Sequence, residues 1–298
     1  MRIMLHGCGY WGEKLGQTLT KVNSVDCVGF YDQDETKAVS LFEKVSTEKM
    51  KYVVKNTRRE LLDFDAVVIA TPSYTHYEIA KQCLEAGKHV LVEKPMTLDY
   101  AQAAELVELA QSKKLTLMTD STFLYSNAIL NLSRFFPNKE GVIVLPRYNL
   151  DLTWTGKRYG NTPEGILWTY GPHPVSIALA LMKSPGCFTD ITREGTELRL
   201  SLLFSGDRTA NIVLDWDVPV RRRELLISEY NRLRWINLIS PNATNYEQVD
   251  PLTNMCKKFL QRVSNQEPFI DYNGLEVVRV LEEAEKRLKE KKGASPAD

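Results

Sequence analysis

Residues 2–12 read RIMLHGCGYWG, a short apolar run that passes directly into glycines. Such a run behaves as a buried parallel strand. EKLGQTLTKV follows with helical spacing, Leu15, Leu19 and Val22 falling on one side. Between the two elements Gly7, Gly9 and Gly12 spell G-x-G-x-x-G. The first glycine permits a tight turn, the second lets a pyrophosphate approach the backbone, and the third lets helix and strand pack closely. The free N–H groups of the helix start then face the phosphates. A glycine turn of purely structural purpose is the competing reading, and the strand–loop–helix context at the chain start favours the dinucleotide site.

Working outward, the pattern repeats. DCVGFYD (26–32), DAVVIATP (65–72), KHVLVEKP (88–95) and LTLMTD (115–120) read as strands. ETKAVSLFEKV, HYEIAKQCLEAG and YAQAAELVELAQSKK alternate with them as helices. Strands alternating with helices predict an α/β fold with a doubly wound parallel sheet over residues 1–120, a Rossmann domain. Ligands of such sheets bind at the carboxyl ends of the strands. Asp32 closes the second strand, 25 residues after Gly7. An acid at that spacing accepts the ribose hydroxyls and repels a 2′-phosphate, which favours NAD over NADP, although Asp34 competes for the role. Ala70-Thr71-Pro72 ends another strand, where a nicotinamide would lie or where the chain merely turns.

The 298 residues are 43% hydrophobic and 26% charged, with Lys plus Arg equal to Asp plus Glu at 38 each. This is a globular composition with no net field to recruit nucleic acid or a membrane surface. The five cysteines are odd in number, widely spaced and never in a CxxC pair, so neither a metal site nor a disulfide framework is expected. The start lacks a signal-type apolar core and no run is long enough to span a bilayer, which predicts a cytoplasmic protein. After about residue 121 the character changes. GVIVLPRYNLDL, TELRLSLLFS, RTANIVLDWDV and RRELLISEY read as strands with partial alternation, so residues 121–298 form a second domain whose sheet has one polar face. The last helix is expected to pack back on the first domain.

GCGYWG, ATPSYTH and AGKHVLVEKP together resemble the glucose–fructose oxidoreductase and inositol dehydrogenase (Gfo/Idh/MocA) family. GYWGEKL, STFLYSNA and ILWTYGPHPVSIAL are similar to its branch that includes UDP-N-acetylglucosamine 3-dehydrogenase. The resemblance implies a C-terminal α/β domain on an open, mostly antiparallel sheet, and NAD as cofactor. It also implies a sugar or UDP-sugar substrate and a homodimer or homotetramer. It assigns Lys94 of Glu93-Lys94-Pro95 to the nicotinamide end, where a lysine of lowered pKa can take a hydroxyl proton. Gly7, Gly9, Tyr10, Trp11, Gly12, Asp32, Thr71, Pro72, His76, Glu93 and Lys94 are the implied cofactor residues.

His173 lies in ILWTYGPHPVSIAL, which enters a helix near Pro174 and places the histidine around the N-cap. A lone histidine in an apolar segment is commonly a packed core residue. The related pattern W-D-L-G-P-H-D makes it an active-site residue, and Gly171-Pro172-His173 survives here in frame. Its carboxylates do not: Thr169, Pro174 and Ser176 stand at acidic positions. A nearby carboxylate raises histidine basicity, so either Lys94 is the principal base, or the substrate differs, or turnover is lost. Lys94, Arg147, Asn149, Thr169 and His173 are the substrate candidates, with Lys94 and His173 catalytic. Lys157, Arg158 and Tyr159 lie in a loop that can close over a diphosphate or simply be solvated, and Arg221, Arg222 and Arg223 fit a strand exit as well as a phosphate clamp. The expected activity is NAD-dependent oxidation of a secondary sugar hydroxyl, C3 of a UDP-N-acetylhexosamine. The alternatives are an NAD(H)-binding protein without turnover, or a family reductase acting on a polyol or cyclic imine.

Overall fold

The computed structural model describes residues 1–45, 47–55, 57–135, 148–157, 163–229, 232–239 and 250–293. The chain divides into two units, Met1–Thr122 with Val249–Leu275, and Phe123–Gln248 with Glu276–Asp298.

The first unit is built on β1 (Arg2–His6), α1 (Tyr10–Leu19), β2 (Cys27–Tyr31), α2 (Glu35–Lys44), β3 (Met50–Val53), the short helix α3 (Thr57–Glu60), β4 (Ala66–Ile69), α4 (His76–Glu85), β5 (His89–Glu93), α5 (Tyr100–Ser112) and β6 (Leu117–Asp120). Every strand pair is parallel, in the order β3-β2-β1-β4-β5-β6. The β-branched run of β4 is buried throughout, as a strand covered on both faces must be. The helices start where side chains can satisfy their free N–H groups. Asp34 accepts from the Thr36 N–H and Asp99 from the Gln102 N–H. β3 is an edge strand without a clear apolar pattern, and sequence periodicity alone does not reveal it.

Residues 249–275 return to this unit. Asp250 caps α9 (Pro251–Ser264), which buries Met255, Cys256, Phe259, Leu260 and Val263 and packs on α1. Leu117 N–H then donates to the Phe269 carbonyl at 2.8 Å, pairing the returning chain with β6. The helix that the C-terminal part of the chain returns to this unit is thus α9.

The second unit holds α6 (Asn127–Phe135), β7 (Tyr148–Lys157), α7 (Gly165–Tyr170), α8 (Pro172–Met182), β8 (Cys187–Glu194), β9 (Glu197–Phe204), β10 (Arg208–Asp215), β11 (Asp217–Glu229) and β12 (Arg232–Asn237). Its sheet runs β12-β11-β7-β10-β9-β8; β7 and β10 are parallel and the other pairs antiparallel. Tyr148, Leu150, Leu152, Trp154, Leu200, Ile212 and Leu214 are buried on one face, against which α7 and α8 lie. Asn149, Arg199 and Asn211 occupy the exposed face, as period-two alternation requires. Arg208 is almost fully buried, donating to the Met182 and Ser205 carbonyls. Beyond Leu275, α10 (Tyr272–Gly293) is tied to this unit by Arg279 donating to the Gly186 carbonyl and by a Lys291–Asp190 ion pair. Among the described residues no helix is long and apolar enough to cross a membrane.

Candidate active site at the strand ends of the first unit

The strand order reverses between β1 and β4, and their carboxyl ends flank the crevice that such sheets use for ligands. Gly7 leaves β1 with φ +105°, a conformation that side chains resist, and a Cβ there would lie 2.5 Å from the Ala70 carbonyl. A Cβ on Gly12 would strike the Gly7 carbonyl, so the third glycine is needed for packing. Gly9 has open space on its Cβ side and is the N-cap of α1 without a side-chain hydrogen bond. Backbone N–H groups at an uncapped helix start, beneath an open approach, suit the pyrophosphate of a dinucleotide.

Asp32 lies immediately beyond β2. Its carboxylate accepts the Cys8 N–H at 2.8 Å and the Asp34 N–H at 3.0 Å. These bonds aim the group across the glycine loop and leave acceptor sites for ribose hydroxyls. Asp34 is taken up as the α2 cap, its carboxylate accepting from both the Thr36 N–H and hydroxyl. Asp34 is thereby engaged at the helix start, while Asp32 faces the glycine loop. His6 packs edge-on against Tyr31, and burial pushes its pKa down to about 4 against the opposing pull of Asp32. His6 is thus neutral near pH 7. Beside it a cleft is lined by Cys8, Glu13, Thr36, Lys37, Ser40 and Lys44. Tyr10 is exposed, and the Lys14 ammonium lies 4.6 Å from the ring centroids of both Tyr10 and Trp11.

At the other end of the crevice, the turns after β4 and β5 are tied together by His76. Its ring is buried, with Nδ1 at 2.8 Å from the Pro95 carbonyl and Nε2 at 2.9 Å from the Thr71 carbonyl. His76, expected among the cofactor residues, here braces the two turns. The Thr75 hydroxyl donates to the Thr71 hydroxyl at 2.7 Å, and Pro72 is exposed. Lys94 is half-buried immediately after β5, and the Lys94–Pro95 peptide bond is cis. Beneath it Glu93 is buried and accepts the Lys94 N–H at 3.1 Å. Glu93 stands opposite Asp120 of β6, a residue that sequence reasoning missed. Aligning the two strand ends in register would have found it.

In the second unit His173 belongs to the first turn of α8, which starts at Pro172, not to an N-cap before Pro174. The imidazole stacks on the buried Trp154 ring, centroids 5.5 Å apart, and meets Phe123 edge-on at 5.1 Å. Two of the three residues at the lost acidic positions turn to the backbone: the Thr169 hydroxyl donates to the Gly165 carbonyl and the Ser176 hydroxyl to the His173 carbonyl. The basic run splits. Arg221 and Arg222 are exposed, while Arg223 is buried with its guanidinium 4.9 Å from the Trp154 ring and 4.8 Å from that of Tyr170. Arg223 shares strand parity with Leu225 and Ile227, the signal that marks it as core-facing. Asn149 is not brought together with His173. It lies on the exposed sheet face, accepting from the Thr209 N–H and hydroxyl, whereas His173 packs on the face that carries Trp154. Lys157 is exposed, its carbonyl accepting from the Tyr170 hydroxyl. Arg147, Arg158 and Tyr159 lie outside the described residues.

Residues 1–121 match the model of an oxidoreductase family, NAD-binding Rossmann fold. An uncharacterized oxidoreductase of Schizosaccharomyces pombe is 32% identical over 162 residues, which are 52% of this chain and 42% of that protein. UDP-N-acetylglucosamine 3-dehydrogenase of Acidithiobacillus ferrooxidans is 32% identical over 117 residues, 39% of this chain and 36% of that protein. The aligned stretch thus spans less than half the length of either relative. The crystal structure of the same Acidithiobacillus enzyme superposes with a TM-score of 0.82 at 19% identity, covering 96% of this chain and 97% of that one. GenD2 from gentamicin A biosynthesis, in complex with NAD, gives 0.82 at 19% identity over 98% and 95%. These structural likenesses speak to the fold. Over residues 1–121, then, the chain matches the Gfo/Idh/MocA model of NAD-binding Rossmann-fold oxidoreductases, and the solved structures share its fold.

Proposed function

We propose that the chain is an NAD-dependent dehydrogenase that oxidises a secondary hydroxyl of a sugar, C3 of a UDP-N-acetylhexosamine. The observation that carries this reading is the placement of Lys94, which leaves β5 next to the crevice with its backbone held by the Glu93 carboxyl. Gly7, Gly9 and Gly12 hold the pyrophosphate on the α1 start, and Asp32 accepts the ribose hydroxyls. Bound NAD supplies the hydride acceptor. Lys94 accepts the hydroxyl proton as the carbonyl forms, and general-base help of this kind is worth about 10²–10⁴ in rate. His173 is the second candidate for handling that proton, and Thr169 stays a substrate candidate near it in sequence. The similarity to the Acidithiobacillus 3-dehydrogenase supports the nucleotide-sugar class. Asp32 supports NAD; the cleft holding Thr36, Lys37, Ser40 and Lys44 supports a second reading in which NADP is accepted. The ratio of the two dissociation constants decides between them.

The test is a single turnover. Stoichiometric protein, NAD and UDP-N-acetylglucosamine are mixed with hydroxylamine to trap the ketone, and reduced nicotinamide is followed by absorbance. We expect one equivalent of reduced cofactor, lost in Lys94→Ala. Silence in the presence of demonstrated NAD binding would overturn the reading. Reduction with free polyols but no UDP-sugar would transfer the assignment to the other substrate class.

The same reading includes a homo-oligomer formed through the second sheet. Leu233 and Trp235 of β12 are 72% and 61% exposed, apolar residues alternating with Arg232 and Arg234. An exposed apolar patch with a polar rim marks an association surface. Sedimentation of Trp235→Asp should yield monomers; an unchanged sedimentation coefficient would remove this surface from consideration.

A further inference from the structure

The ends of β5 and β6 place two carboxyl groups side by side, and the mechanism above gives neither a share in the proton transfer. Glu93 and Asp120 are register partners in a parallel pair, 5% and 2% exposed. Side chains directly opposite in a sheet project from the same face. Glu93 Oε2 accepts the Lys94 N–H; Asp120 Oδ1 accepts the Thr122 N–H at 3.2 Å and the Thr122 hydroxyl. This leaves Glu93 Oε1 and Asp120 Oδ2 buried, with no donor for either. Two ionised carboxylates cannot be left so in a site stripped of water, whereas a single proton turns the pair into an O–H···O⁻ bond that satisfies both.

We propose that Asp120 is a positioning residue for Lys94: it shares one proton with Glu93, and the pair fixes the Lys94 backbone and presents one negative charge to its ammonium. Burial, then the Asp120 charge and the hydrogen bond to Asp120, hold the Glu93 carboxyl well above its usual range; Lys94 opposes them. Burial likewise raises Asp120. The other titratable groups near the pair are the Cys256 thiol of α9, itself pushed up by burial and by Asp120, and Asp271, which accepts the Thr119 N–H beside Asp120. Only the role of Lys94 as proton acceptor rests on the dehydrogenase reading.

The sign of the pH effect follows. The folded chain keeps a proton that the unfolded chain releases above the ordinary carboxyl value of 4.5. The folded state therefore binds more protons over that window, and stability falls as pH rises from there to the folded value. Urea unfolding across this window is compared for wild type, Glu93→Gln and Asp120→Asn. We expect the wild-type unfolding constant to climb about tenfold per pH unit more steeply than in either amide variant, which carries a fixed donor in place of the shared proton. Parallel curves overturn the shared proton. Should a variant fail to fold, the wild type suffices: the carboxyl carbon of Glu93, followed by NMR, should hold its protonated shift where free carboxyls have already ionised, and ionisation at the ordinary value overturns the proposal.

Positioning has its own readout, the pH profile of Lys94 acylation measured by mass spectrometry. The profile should be kept in Asp120→Asn and displaced in Asp120→Ala; equal profiles in all three chains overturn the positioning role. Neither measurement requires turnover, so failure of the dehydrogenase reading leaves both outcomes intact.

Discussion

Lys94 and His173 are the two residues that the sequence offers as catalytic, and their surroundings are opposite in kind. Lys94 stands over carboxyl groups: Glu93 holds its backbone and Asp120 lies beside Glu93. His173 is set among rings, stacked on Trp154 and edge-on to Phe123, with a cation, Arg223, on the Trp154 ring. Anionic surroundings stabilise a proton on a nitrogen base, whereas an aromatic stack orients a ring without adding that charge. Under the proposed dehydrogenase reading, these opposite surroundings make the two side chains separable by mutation.

Removing each side chain is the sharpest way to break this comparison. Lys94→Ala should lower single-turnover rate by about 10²–10⁴, and His173→Ala by clearly less. The reverse order would exchange the two roles. The glycine loop comes next. Gly7→Ala forces a Cβ into a left-handed turn already in contact with Ala70, at a cost of about 1–3 kcal/mol for a strained backbone conformation. Urea unfolding should show that loss, and calorimetry should show NAD binding weakened with it. Unchanged binding would mean that the loop does not hold the cofactor. The smallest effect is expected in the ring stack. Arg223→Lys keeps the charge but loses the plane that lies on Trp154 and Tyr170, at about 1 kcal/mol of stability. A loss well beyond that would show the guanidinium hydrogen bonds to the Thr155 and Arg222 carbonyls to be the dominant tie.

The glycine loop was legible because its requirements are backbone requirements. Gly7 takes a left-handed φ and a Cβ on Gly12 would strike the Gly7 carbonyl in the same loop, so their spacing in the chain already carries that geometry. Asp32 was legible for the same reason, lying one strand from that loop, although the choice between it and Asp34 needed the cap of α2 to be seen. The second unit was less readable. Asn149 and Arg223 both read as polar strand residues, yet one accepts hydrogen bonds on an exposed face and the other is buried between rings. The run of three arginines offered no local sign of its split; only the parity of Leu225 and Ile227 carries it.

By itself, then, the sequence determined the parallel sheet, the dinucleotide loop and the strand that delivers Lys94, because each is set by periodicity or by short-range steric limits along a few residues. Tertiary structure alone decided that α9 returns to the first unit, that His76 ties two turns together, and that Glu93 meets Asp120. Those are pairings between residues far apart in the chain. Their energies depend on burial and on which groups face one another, and neither quantity exists until the strands have been laid in register.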